Sequence, residues 1–292
     1  MGEPPRPSSL ARVWAVLTAL LLGLTAAILY VAFLPADAPP PPQRTAPPAP
    51  EPRPPVPRPR VTPDGPRAAL LIDDMGYSQT QLQRLLAMEH AIAFAVLPEA
   101  PQAEPTARAV SAAGRDLLAH LPCEPLDRKL MTGMRFLTVD LGAAETARLV
   151  EAMLDAVPGA RGANNHMGSR FTRQAPAVRG MLSVVRRRGL FFVDSVTAAG
   201  SVAHRVARDL GIPSARRDVF LVDDHSLEAV ARQLKVLEEV ARRQGTALAI
   251  GHPREDTMQA LEAWLDSGAG GINLVTVSDL LSPALAARRG AP

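Results

Sequence analysis

From Ala68 onward, short apolar runs alternate regularly with longer stretches of helical periodicity. The apolar runs are Ala68–Ile72, Ile92–Val96, Asp116–His120, a segment near Ala163, Leu190–Val193, Val219–Val222, Ala247–Ile250 and Ile272–Val275, each short enough to read as a buried strand. Between them, helices are predicted over Ser78–Met88, Ala103–Ala113, Ala143–Ala156, Ala175–Arg188, Val202–Leu210, Ser226–Gln244 and Thr257–Asp266. Gly114, Gly189, Gly211 and Gly245 follow four of these helices, where a left-handed residue closes the last turn. Strict alternation of strand and helix means parallel strands joined by crossover helices. Eight strands in about 225 residues fit an irregular (β/α)7-8 barrel better than an open sheet with added domains. Leu121–Leu141 breaks the rhythm, and a loop of that length in a compact domain is expected to be functional or a lid.

Five of the runs stop at a group capable of chemistry: LLIDD at Asp73 and Asp74, DLLAH at His120, GANNH at His166, LFFVD at Asp194 and ALAIGH at His252. In a parallel sheet or barrel, strand carboxyl ends share one rim, so these residues are expected to converge there. Adjacent carboxylates at Asp73 and Asp74 suit divided roles, one binding a cation and one accepting a proton. His120 and Glu124, four residues apart, form a plausible pair of ligands on one turn. His166 can bind a metal while Asn164 and Asn165 orient it or donate to substrate oxygens. An acid such as Asp194 near His252 would fix the imidazole tautomer and keep it able to protonate a leaving group. His90, His204 and His225 lack such settings and read as surface or helix-terminal residues. Ser169 and Ser195 do not lie in the Gly-x-Ser-x-Gly turn of a serine hydrolase.

The ends of the chain change the picture around this domain. Val13–Leu34 is uncharged and long enough to cross a hydrocarbon core of about 30 Å, so residues 13–34 read as a transmembrane helix. Arg6 and Arg12 precede it and Asp37 follows, which puts residues 1–12 in the cytoplasm and the rest in the periplasm or outside. A cleaved signal peptide ending near Ala36-Asp37-Ala38 is the competing reading, disfavoured by the length of the apolar run. Residues 35–66, including Pro39 to Pro42, form a Pro-rich linker that spans on the order of 90 Å if fully extended. The domain proper is then 67–292.

The formal charge of +3 is concentrated in the first 67 residues, where seven arginines face four acids, so the domain itself is neutral. With aromatics at 4% and no basic footprint, a nucleic-acid reader is excluded. The basic arm beside the membrane suits anionic lipid or polymer. Cys123 is the only cysteine, so no intrachain disulfide exists and the core must hold the domain; as a nucleophile it has little to recommend it.

LLIDDMGYS, FAVLPEAP, AHLPCEP, GANNHMGSRFT, GLFFVDSVT, DVFLVDD and AIGHPREDT, in this order and spacing, resemble the divergent polysaccharide deacetylase family, a distant branch of the NodB-like carbohydrate esterases. The resemblance spans Ala68 to Leu281 and is most specific in NNHMGS. It implies a deformed (β/α) barrel, a divalent metal such as zinc, and hydrolysis of N-acetyl groups on an envelope polysaccharide. Asp73 resembles the general base, Asp74 the metal-binding acid, and His252 the general acid of the last motif. The usual second motif has two histidines four apart, whereas this chain has His120 and Glu124. The third ligand is then Glu124 or His166, the latter preferred because imidazole serves zinc better in a three-residue site. Asp194 completes the expected catalytic set, and Asn164, Asn165 and Ser169 the substrate-binding set. Two other readings stand beside hydrolysis of an N-acetyl group: a glycan-binding scaffold that has lost turnover, motivated by the altered motif, and a metal-dependent phosphoesterase, disfavoured by the neutral domain.

Overall fold

The computed structural model describes residues 65–221 and 226–281. The expected tail, membrane helix and most of the linker lie outside the described residues, as does His225. Among the described residues no helix is long and apolar enough to cross a membrane.

Nine strands form one sheet: β1 (Arg67–Met75), β2 (Ile92–Val96), β3 (Leu117–Cys123), β4 (Gly162–Met167), β5 (Phe191–Asp194), β6 (Ser214–Arg216), β7 (Val219–Phe220), β8 (Thr246–Gly251) and β9 (Asn273–Leu274). The helices are α1 (Gln79–Ala87), α2 (Ala103–Ala112), α3 (Ala143–Asp155), α4 (Ala175–Arg187), α5 (Ala203–Asp209), α6 (Leu227–Gln244), α7 (Glu255–Asp266) and a single turn, α8 (Val277–Leu280). Local chemistry sets their ends. The Ser78 hydroxyl accepts from the Gln81 N–H to open α1, the Ser226 hydroxyl accepts from the Ala229 N–H to open α6, and Gly245, at φ 80°, closes α6.

All ladders are parallel, in the order β6-β5-β4-β3-β2-β1-β8-β7. The parallel α/β architecture is as the alternation implied, and the strands curl into a half-barrel that fits the irregular barrel expected; among the described residues no ladder joins β6 to β7. Two differences follow from short strands. β6 is a polar three-residue segment with no apolar run to announce it, and β9 pairs with the start of β1, at Arg67 and Ala68, below the point where β2 begins at Leu70.

Side-chain parity divides the core into two layers. Ala68, Leu70 and Ile72 of β1, Phe94 of β2, Ala119 and Leu121 of β3 and Phe192 of β5 face the layer of helices α1 to α7. Ala69 and Leu71, Ala93 and Ala95, Leu118, Phe191 and Val193, Ala215, and Leu248 and Ile250 face the inner layer, closed by Val277 and Leu280 of α8. Continuing each strand by two residues on the inner parity gives Asp73 after Leu71, His120 after Leu118, Ser195 after Val193 and His252 after Ile250. The inner layer is therefore apolar toward the strand starts and polar at the carboxyl rim.

Glu238 of α6 is buried, yet its carboxylate accepts from Trp264 Nε1 at 2.8 Å, Lys235 Nζ at 3.1 Å and Arg242 at 3.2 Å. Burial alone raises its pKa, but these donors outweigh it and hold the group below the ordinary glutamate value. A carboxyl depressed in the folded state adds stability above its unfolded pKa and loses it as pH falls through the folded value. Glu238→Gln is thus expected to be less stable by about 1–2 kcal/mol at pH 7, the exposed cations contributing little. Urea unfolding at pH 7 and in the acid range should show that gap closing as pH falls; a constant gap would contradict the assignment.

Candidate active site

The carboxyl ends of β1, β3 and β4 bring three donor atoms together. Asp74 Oδ1 lies 3.2 Å from His120 Nε2 and 2.9 Å from His166 Nδ1, and the two imidazole nitrogens are 3.3 Å apart. Around them, Asp73 Oδ2 is 3.6 Å from His120 Nε2, and His252 Nε2 is 3.5 Å from Asp74 Oδ2.

Neighbouring residues of an extended strand point to opposite faces, so Asp73 and Asp74 meet one imidazole only because β1 is irregular there. The β1–β2 register shifts between Ile72 and Met75, so that three steps on β1 match two on β2, and Asp74 takes φ 55°. This bulge turns Asp74 to the inner rim, a conformation Asp tolerates better than most residues. Gly76 completes the turn at φ 114°, where a Cβ would come within 2.6 Å of the Ala100 side chain. The bulge thus reorients the pair within the strand, ahead of the turn at Gly76.

Asn164, fully buried on β4, organises the centre. Its Nδ2 donates to Asp73 Oδ1 at 2.8 Å and to Ser195 Oγ at 3.2 Å, which leaves Oδ1 to accept from His120 Nδ1 at 2.8 Å. The proton of His120 is thereby fixed on Nδ1 and the lone pair of Nε2 faces the cluster, the usual arrangement behind a metal-ligating histidine. A tetrahedral site with bonds of about 2.0–2.1 Å has its donor atoms roughly 3.3 Å apart. The spacing and chemistry of Asp74, His120 and His166 fit a divalent cation.

The electrostatics agree with a centre built for positive charge. Burial raises Asp73 above the ordinary carboxylate range, Asp74 adds to this, and His120, His252 and the Asn164 amide oppose it without reversing it. Burial also raises Asp74, but His120 and His166 outweigh it and hold that carboxyl well below its usual range. Burial lowers His120, and Asp73, Asp74 and Asn164 more than compensate, leaving its pKa raised. Without a cation, such a group of lone pairs holds a proton instead.

Several residues singled out from the sequence are placed elsewhere. Glu124 is fully buried, with its carboxylate taken by Arg128, by the Val139 N–H at 2.9 Å and by Arg170 at 3.6 Å. The spacing of four brings residues together on a helix, but His120 lies on β3, where four residues of extended chain cover roughly 13 Å. Asp194 carries the outward parity of Phe192. Its Oδ1 accepts from Val196 N–H at 2.9 Å, and its Oδ2 from Ser201 Oγ at 2.8 Å and His204 N–H at 3.1 Å. It fixes the turn after β5, where Val196 has φ 48°, in place of the expected work on an imidazole. Asn165 is fully buried between the Ser195 N–H and the Met167 carbonyl, and Ser169 Oγ accepts from Leu126 N–H at 2.9 Å. Asn164, Asn165 and Ser169 thus hydrogen-bond within the rim, the two asparagines with no exposed surface. The Cys123 thiol is buried and pushed upward by desolvation and by Asp194, which leaves it inert.

Two residues were missed. Ser195, buried, receives Asn164 and ties β5 to β4. Arg217 donates to the carbonyls of Ser195 at 2.7 Å and Val196 at 2.8 Å and stacks 4.8 Å over Phe220, whose ring meets His252 edge-on at 5.7 Å. Its one signal in the sequence is a pair of arginines between two short strands, which also describes a surface turn.

Fold and site together define a parallel α/β protein whose strand ends gather two imidazoles and a carboxylate at metal-ligand spacing. The chain belongs to the divergent polysaccharide deacetylase family, whose description matches residues 70–281. It is 34% identical over 216 residues to the uncharacterized protein YibQ of Escherichia coli (strain K12), covering 74% of this chain and 67% of that one. An uncharacterized protein of Haemophilus influenzae is 35% identical over 215 residues, covering 73% and 76%. Among solved structures, the uncharacterized protein ATU2773 from Agrobacterium tumefaciens C58 shares the fold, with a TM-score of 0.71 at 24% identity over 76% of this chain and 92% of that one.

Proposed function

We propose that this protein is a divalent-metal-dependent hydrolase that removes N-acetyl groups from an envelope polysaccharide. The observation that carries the reading is the meeting of Asp74 Oδ1, His120 Nε2 and His166 Nδ1 from three strands, with Asp73 and His252 beside them. Family membership supports the glycan as substrate class. Two imidazoles and one carboxylate suit zinc, which when bound polarises a carbonyl and lowers the pKa of water towards about 7.

The chain's own residues divide the remaining work. Asp73 has one oxygen held by Asn164 and presents the other to the cluster, where it accepts the proton of the attacking water. His252, set between Asp74 and the edge of Phe220, gives a proton to the amine nitrogen as the C–N bond breaks. The products are acetate and a free amino sugar.

Metal analysis of the purified full chain, with acetate release from N-acetylated oligosaccharides, tests the reading. Asp73→Asn is expected to retain the metal and lose about 10²–10⁴-fold in turnover, the range of general-base catalysis. Acetate release near the wild-type rate in that variant would remove Asp73 from the mechanism. Wild-type protein that holds metal and glycan without releasing acetate would instead be a glycan-binding protein.

A further inference from the structure

We propose that the groove beside His166, between the β3–α3 loop and helix α3, binds a carboxylate-bearing sugar next to the one that is deacetylated. The inference rests on the hydrolase reading and names its substrate class as an acidic N-acetylated glycan.

The groove encloses about 410 Å³, at the lower end of the range of small-ligand sites, and is lined by Arg135, Phe136, Leu141, Glu145, Arg148 and Leu149. Phe136 joins it to the metal-type cluster: the same ring that lines the groove lies 6.4 Å, centroid to centroid, from the His166 imidazole. The loop that carries Phe136 is pinned at both ends of this short segment. Arg135 binds Glu99 through its side chain and, at 2.8 Å, through its backbone N–H, and Leu137 pairs with Cys123 at the end of β3. The wall is thus built into the fold beside the cluster.

The lining has the composition of a sugar site. The half-buried Leu141 and Leu149, with the largely buried Phe136 completing the apolar lining, offer contact for the C–H groups of a pyranose ring. Glu145 and Arg148, three residues apart on α3, stand side by side on the helix, Cβ atoms roughly 5–6 Å apart, about the width of such a ring. Neither has an ion-pair or hydrogen-bond partner among the described residues. Arg135 is already engaged by Glu99, so Arg148 is the guanidinium left to receive a carboxylate, with Glu145 free to accept from a hydroxyl.

The test compares N-acetylglucosamine oligomers with oligomers of the same length in which alternate sugars carry a lactyl carboxylate, using the metal-loaded full chain. Wild type is expected to have the lower KM for the acidic series. Arg148→Ala should raise that KM roughly tenfold, the loss expected for a charge-assisted hydrogen bond, with kcat and the neutral series within about twofold. Phe136→Ala should raise KM for both series. Equal effects of Arg148→Ala on the two series, or none, would overturn the proposal. If neither series releases acetate, the hydrolase reading fails separately. Calorimetric titration of the acidic oligomer then decides the groove: a Kd weakened about tenfold in Arg148→Ala supports it, and an unchanged Kd refutes it.

Discussion

Asp74→Ala is expected to lose bound metal and acetate release together, with turnover down by at least about 10³-fold, while the fold survives. Asp74 Oδ1 faces both imidazole nitrogens, at 3.2 and 2.9 Å, so without it the three-donor group is reduced to two imidazoles. Its side chain is 32% exposed, so its removal leaves no large cavity. A structural defect would show as loss of the cooperative unfolding transition, whereas loss of a ligand leaves the metal-free chain folding cooperatively, its melting temperature lowered only by the missing Asp74–imidazole interactions. Metal content, acetate release and thermal unfolding of the same preparation decide it. Metal at wild-type occupancy in Asp74→Ala would show that the cation is held by a different set of residues.

Asn164→Leu should be the most damaging single change at the site's interior. Leucine keeps the branched outline of asparagine's four side-chain heavy atoms but puts bulkier methyl groups in place of the amide oxygen and nitrogen, so packing is strained while three hydrogen bonds go: to Asp73, to His120 and to Ser195. All three partners are buried, among them a carboxylate and an imidazole N–H that have no water to turn to. Leaving them unsatisfied is expected to cost about 3–5 kcal/mol of stability. The same change frees the His120 tautomer, which by itself weakens metal affinity by about 10–100-fold. Denaturant unfolding gives the first quantity and a metal titration of the folded fraction the second. A variant as stable as wild type would mean that Asn164 organises nothing.

Helix positions were legible from their periodicity, sharpened where the boundary chemistry is local. Ser78 and Ser226 open helices and Gly245 closes one, interactions that lie within a few residues of sequence. Strand existence was legible wherever an apolar run was long enough, and failed at β6, whose three residues include Ser214 and Arg216. Closure into a barrel was not legible, since it depends on whether two short segments at opposite ends of the strand order meet.

Taken alone, the sequence determined that a parallel α/β domain brings Asp73, Asp74, His120, His166 and His252 to one rim, because in such a sheet every strand ends on the same side. Which of these residues share a centre was decided by tertiary structure. The strands are buried on both faces, so no alternation of polar and apolar residues marks the inner parity. Asp194 fell on the outward parity and became the anchor of a turn, and Glu124 was carried along an extended strand to Arg128. Asp74 joined His120 and His166 only through a one-residue bulge in register against β2, an irregularity that exists in the pairing of two strands and in neither strand alone.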